Sequence, residues 1–258
     1  MTLQTELYIP FAEQLATIAG EIVRQHYGKP IKYDIKADSS PVTIVDREIE
    51  RNLRATIHNT YPEHGIIGEE YEPVNENADI KWIIDPIDGT KSFMIGRPIF
   101  GTMISLLHHN TPVLGIIDQP ILGERWTGVK GFATNFNYDP TRSRMCPDIK
   151  HAVFCTTSPN LFNDGDREKF EQIRKSTQYV VYGGDCYSYG LIARGTVDIV
   201  VETQLKPYDF CALRPIIEGS GGIITDWQGN SLTLESDGKV LACGDRRVHS
   251  QALEILNT

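Results

Sequence analysis

Two aspartates three residues apart, Asp85-Pro86-Ile87-Asp88, stand directly before Gly89-Thr90. The apolar run Trp82-Ile83-Ile84 in front of them reads as a buried strand, so the carboxylates are expected at its carboxyl end, where the chain turns. Oxygen ligands without nitrogen or sulfur suit a hard cation such as Mg²⁺. Gly89-Thr90 adds backbone N–H groups and a hydroxyl beside that cation, a combination that suits a phosphate ester. Asp-Pro followed by Asp-Gly is also an ordinary turn composition, and the segment alone leaves both readings open.

The remaining acids decide between them. Glu69-Glu70 ends the short apolar run Ile66-Ile67-Gly68, a place that also suits a surface turn. Asp46 lies on a helical pattern, where a solvated charge is the alternative. Asp209 stands just before Phe210, Leu213, Ile216 and Ile217 at helical spacing, the place of a helix-capping Asp.

These acids must be held by the elements around them. Phe11, Leu15, Ile18 and Ile22 predict a first helix ending near Tyr27-Gly28, and Val45, Ile49, Leu53 and Ile57 a second that stops at Tyr61-Pro62. Ser39-Ser40-Pro41 breaks the chain between them. Strands are expected at 101–107 and 113–118, joined by a loop from His108 to Pro112, and at 124–129 and 132–136. Beyond a connector near residue 140, strands (151–156, 180–182, 197–202, 223–225) alternate with helices (166–175, 185–194, 209–218 and the chain end). Layered α and β elements are the natural way to bury such a mixture.

Gly68-Glu69-Glu70, then Asp85 to Thr90, then Asp209 before an apolar helix ending in Gly219-Ser220-Gly221-Gly222 resemble the inositol monophosphatase family of Mg²⁺-dependent, lithium-sensitive phosphatases. The resemblance runs over essentially the whole chain. It implies an α+β, α/β layered sandwich of αβαβα type, shared with fructose-1,6-bisphosphatase. Residues 1–258 would form one phosphatase domain. Its half 1–140 would carry most metal ligands, and its half 141–258 Asp209 and the substrate-side residues. The resemblance further implies two or three Mg²⁺ ions per site. Glu69, Asp85 and the carbonyl of Ile87 would hold one, and Asp85, Asp88 and Asp209 a second. Thr90 and Asp46 would help Glu69 to orient and deprotonate the attacking water. Gly89 and Thr90 would offer N–H groups to the phosphate, and Asp209 would touch substrate as well as metal.

The family's late motif usually reads Trp-Asp, whereas Lys206-Pro207-Tyr208-Asp209 stands here. That variant, with Gly183 to Tyr187 and Ile117 to Trp126, is similar to the histidinol-phosphate phosphatase branch, which serves histidine biosynthesis. The implied reaction is hydrolysis of L-histidinol phosphate to L-histidinol and phosphate by in-line attack of water. Glu202 lies where the family places a carboxylate against the substrate alcohol, and Asp185 opens a helix beside it. Two carboxylates there favour an ammonium-bearing leaving group over a neutral polyol. Arg125 is a substrate contact across a dimer interface or a surface salt bridge. Inositol and other sugar phosphates are the alternative substrates. A silent metabolite-binding relative is the alternative outside the class, against which the intact set Glu69, Asp85, Asp88, Thr90 and Asp209 speaks. The resemblance also implies a homodimer.

Composition narrows the partners. With 258 residues and 40% hydrophobic content the chain can bury a full core. The net charge is −9 and no basic face appears, which argues against nucleic acid and makes cations necessary for an anionic substrate. Five cysteines at wide spacings without a zinc pattern read as reduced core thiols in a cytoplasmic protein. The first twenty residues lack Lys, Arg and any long apolar run, so no signal or transit peptide is expected. No stretch reaches the length of a membrane span. His108 and His109 are expected to be solvated at a loop tip.

Overall fold

Helix α1 (Ile9–His26) turns Phe11, Leu15, Ile22 and Val23 onto one buried face, as its spacing predicts, and carries Pro10 in its first turn. The computed structural model describes residues 3–36 and 40–258, so the chain break expected at Ser39 lies outside the described residues. A short hairpin of β1 (Tyr33–Ile35) and β2 (Pro41–Thr43) leads into α2 (Ile44–Thr60). A capping box starts α2. The Thr43 hydroxyl accepts from the N–H groups of Val45 and Asp46, and Asp46 Oδ2 accepts from the Thr43 N–H at 2.8 Å.

A seven-stranded sheet follows in the order β3 (Gly65–Gly68), β4 (Ile80–Asp88), β5 (Gly101–His108), β6 (Thr111–Gln119), β7 (Glu124–Val129), β8 (Asn135–Phe136), β9 (Asp139–Pro140). Only the β3–β4 pair is parallel. Between β4 and β5 lies the five-residue α3 (Thr90–Met94). The β5–β6 hairpin is tighter than the expected loop. His109 and Asn110 alone make the turn, with φ of 48° and 61°, the left-handed pair that matches strand twist. Pro112 falls inside β6 beside a register irregularity at Leu106–Leu107. The strand expected at 132–136 shrinks to Asn135–Phe136.

The second sheet has five strands ordered β11 (Tyr179–Tyr182), β10 (Val153–Thr156), β12 (Ile199–Glu202), β14 (Val240–Cys243), β13 (Ile223–Thr225). Its helices are α4 (Asp164–Ser176), α5 (Asp185–Ala193), α6 (Pro207–Phe210), α7 (Leu213–Gly219) and α8 (Arg246–Leu256). The helix expected at 209–218 is therefore two pieces. Pro215 has no N–H for the Cys211 carbonyl, so a continuous helix cannot run through it. A new helix can start with Pro215 in its first turn.

Three apolar cores lie between five layers. Alternation along β4 sends Trp82 and Ile84 toward α1 and α2 and sends Ile83 to the other face. There Met103, Ile117 and Trp126 meet Tyr189 and Ile192 of α5, Leu213 and Ile216 of α7, and Val200 and Ala242 of the second sheet. The outer face of that sheet packs Phe154, Ile199 and Val201 against Phe170 of α4 and Val248 of α8. Burying one such side chain contributes about 1.5–3 kcal/mol. The fold is thus the expected layered αβαβα sandwich. Among the described residues all five cysteines are buried and free, and no helix is long and apolar enough to cross a membrane.

Candidate metal centre and active-site cleft

In a regular strand, residues three apart face opposite sides. Asp85 and Asp88 escape that rule through a β-bulge. Asp85 pairs with Met103 and Asp88 with Gly101, so three steps on β4 match two on β5. Pro86, which has no N–H to pair, occupies the bulge, and its carbonyl accepts from the Thr102 hydroxyl at 2.8 Å. Both carboxylates then face one cleft. The strand continues to Asp88, where the sequence suggested a turn after Ile84.

Asp209 enters the same cleft from the other side. It is not an N-cap, which is Lys206. Asp209 sits at the third helical position, with Oδ2 accepting from the Lys206 N–H at 2.6 Å. The α6–α7 junction lies directly on the sheet, because a Cβ on Gly115 would stand 2.0 Å from the Ala212 carbonyl oxygen and one on Gly128 2.4 Å from the Ile216 nitrogen. Only glycine permits that approach. One oxygen each from Asp85, Asp88 and Asp209 lies within 4.8 Å of the others.

These carboxylates repel one another. Burial, then Glu69, Asp88 and Asp209, push the Asp85 carboxyl well above its usual range. Burial, then Asp185 and Asp209, do the same to Asp88. Burial raises Asp209, with Glu69 and Glu202 adding to it. Asp85 Oδ1 is buried without any hydrogen-bond partner. An orphaned carboxylate oxygen amid further acids fits a hard divalent cation in chemistry and charge.

Glu69 follows β3, and its N–H donates to the Ile84 carbonyl at 3.3 Å, which sets it beside Asp85 across the parallel pair. Its side chain stands outside the tight triad. Lys36 Nζ holds Glu69 Oε1 and Glu70 Oε1 at 2.7 Å each. Asp46 is fully buried rather than solvated. Thr43 occupies its Oδ2, and its Oδ1 lies 3.4 Å from the Thr90 hydroxyl, which also stands 3.1 Å from the Ile87 carbonyl. Burial lifts the Asp46 carboxyl to about 6 against those hydrogen bonds, and Glu69 adds to the rise. Gly89, at φ 88°, turns the chain so that Thr90 starts α3.

The deep end of the cleft is a cavity of about 190 Å³ lined by Asp88, Asp185, Tyr189, Glu202 and Asp209 among others. Gly183, Gly184 and Asp185 have φ of 89°, 112° and 44°, three left-handed residues in a row. Asp185 is therefore not a cap but the first helical residue after Gly184. The winding aims the Cys186 N–H at Asp88 Oδ2 and brings Asp185 Oδ2 within 2.8 Å of where a Gly89 Cβ would be. Burial raises the Asp185 carboxyl, with Glu202 next, while Lys91 and Arg97 oppose the rise. Glu202 is buried behind it, accepting from the Thr157 N–H at 2.8 Å and the Tyr189 hydroxyl at 2.9 Å.

Arg125 does not join this cleft. Its Nε pairs with Asp118 at 2.7 Å and its other nitrogens reach the Glu13 carbonyl and Thr17, so it lines a separate cavity with Arg24 and Asn137. The salt-bridge alternative describes it within one chain. Sequence reasoning missed Lys36, Glu50 and Tyr189. Only Glu50 carried a signal, four residues after Asp46 on one helix, where both side chains share a face.

The sequence profile of the inositol monophosphatase family matches residues 4–258. The chloroplastic bifunctional phosphatase IMPL2 of Arabidopsis thaliana is 46% identical over 253 residues, covering 94% of this chain and 72% of that protein. A histidinol-phosphatase of Chlorobaculum parvum is 32% identical, covering 91% of each. Among solved structures, an inositol monophosphatase from Zymomonas mobilis superposes with a TM-score of 0.91 at 45% identity over the full length of both chains. With the acids brought together as described, the chain belongs to the inositol monophosphatase family, Mg²⁺-dependent hydrolases of small-molecule phosphate monoesters.

Proposed function

We propose that the substrate is L-histidinol phosphate, hydrolysed to L-histidinol and phosphate. The observation that carries this reading is that Asp185 and the buried Glu202 line one cavity together with Asp88 and Asp209. An amino-alcohol ammonium gains a charge-assisted hydrogen bond from Asp185, and a neutral polyol does not. Glu202 acts from behind as a buried negative charge, since both its oxygens already accept protein hydrogen bonds. The relative named histidinol-phosphatase supports the same choice.

Glu69, Asp85 and the Ile87 carbonyl would hold one Mg²⁺, and Asp85, Asp88 and Asp209 a second. When bound, Mg²⁺ supplies positive charge to the phosphate oxygens and acidifies water. The protein's own groups do the rest. The N–H groups of Gly89 and Thr90 face the phosphate. Thr43 fixes Asp46 so that only Oδ1 is left to accept from Thr90, and the Thr90 hydroxyl can then take a hydrogen bond from the attacking water. The family reading extends to inhibition by Li⁺ and to a cytoplasmic homodimer.

The second reading, an inositol phosphatase, is favoured by the 45% identity to the Zymomonas mobilis protein. Phosphate release with Mg²⁺ separates the two. Turnover of histidinol phosphate well above inositol 1-phosphate is expected, and Asp185→Asn should raise KM for the former about tenfold or more. The reverse ordering, or an unchanged KM, would sink the assignment. No release from either would point to a silent relative.

A further inference from the structure

We propose that Glu50 is a positioning residue for the metal site, presenting Glu69 to the cleft through the backbone of the Gly68–Tyr71 turn. The inference rests on reading Glu69 as a metal ligand. Glu50 lies one helical turn after Asp46 on α2 and is fully buried. Its Oε2 accepts from the Glu70 N–H at 2.7 Å, and its Oε1 from the Tyr71 N–H at 3.3 Å and from Arg54 Nε at 2.7 Å. Arg54 in turn donates to the Tyr71 carbonyl at 2.8 Å and the Glu72 carbonyl at 3.1 Å. The turn that carries Glu69 is thus gripped at its N–H groups by the carboxylate and at its carbonyls by the guanidinium.

The grip is close. A Cβ on Gly68 would stand 2.1 Å from Glu50 Oε1 and 2.7 Å from Oε2, so the carboxylate fills the space of a side chain at 68. Glu69 is the next residue, and its own N–H is tied to the Ile84 carbonyl. Between these two anchors the backbone at residue 69 has little freedom to move away from β4 and Asp85. One helix therefore indexes both walls of the cleft, Asp46 toward Thr90 and Glu50 toward Glu69. Groups that orient a ligand rather than touch the metal typically change affinity by about ten- to a hundredfold when removed.

The test is Mn²⁺ binding without substrate, followed by electron paramagnetic resonance on the full-length protein. Glu50→Gln should weaken binding about tenfold, because the amide N–H₂ must face a donor where an oxygen accepted. Gly68→Ala, which leaves Glu50 intact but displaces its carboxylate, should weaken it in the same direction, and it decides alone if Glu50→Gln does not fold. The Mg²⁺ concentration for half-maximal phosphate release should rise by the same factor. Folded variants that bind Mn²⁺ as wild type does, whatever their melting temperature, would overturn the proposal. A wild-type protein that binds no divalent cation would instead remove the metal reading of Glu69, and this inference with it.

Discussion

Lys36 Nζ stands 2.7 Å from Glu69 Oε1 and grips Glu70 Oε1 at the same distance, so the ammonium occupies the carboxylate that the family pattern assigns to a metal. The two carboxylates in turn hold the Lys36 amine well above its usual range, against the cost of its partial burial. A divalent cation claiming Glu69 Oε1 must displace this contact. Lys36→Met removes the competitor and leaves the acids less compensated, and both effects act in the same direction. Mg²⁺ affinity, measured by calorimetry, should tighten about three- to tenfold once solvent screening of a partly exposed lysine is allowed for. Weaker binding in the variant would mean that Lys36 supports the loaded site instead of competing with it.

Asp46 serves two masters, the cap of α2 and the Thr90 hydroxyl, through different oxygens. Asp46→Asn can keep its carbonyl oxygen on Thr43 and so preserve the cap. The amide then faces Thr90 as a donor, and the hydroxyl is left with only the Ile87 carbonyl to donate to. Phosphate release should fall about a hundredfold or more while Mn²⁺ affinity stays within about twofold, since the oxygens of the Asp85, Asp88 and Asp209 triad are untouched. A variant whose metal affinity falls as far as its kcat would make Asp46 part of the metal site rather than of the proton path.

The legible parts of this molecule are those written in short-range periodicity. Phe11 to Ile22 and Val45 to Ile57 mark their helices because one face must be apolar, and Asp85 and Asp88 stand out because acids are costly at the end of a buried strand. The bulge that brings those two carboxylates to one side is a matter of register against β5, and Pro86 is its sign along β4. Lys36 meets Glu69, and Tyr189 meets Glu202, only through the fold, so neither pairing has a local sign. Pro215 did announce the break between α6 and α7, but the apolar spacing of Leu213 and Ile216 masked it. Pro112 misled in the opposite direction, suggesting a loop where a two-residue turn suffices.

Proton binding in the cleft should trade against metal binding. Burial lifts Asp46 to about 6 and Glu70 to about 7, and it carries Asp85 and Asp88 well above the carboxylate range. Between pH about 4 and about 7 the metal-free folded state therefore holds more protons than the unfolded chain. The stabilisation these groups give is complete below their unfolded values and is lost as pH rises through the folded ones. A divalent cation held by Asp85, Asp88 and Asp209 would neutralise those three without needing their protons. The melting-temperature increase given by saturating Mg²⁺ over EDTA should therefore grow from about pH 5 to about pH 7.5. Calorimetry near pH 6.5 in buffers of different ionisation enthalpy should show protons released as Mg²⁺ binds. A Mg²⁺ increment that stays flat across this range, with no proton release, would mean that the acids are already ionised in the metal-free cleft and that another cation balances them.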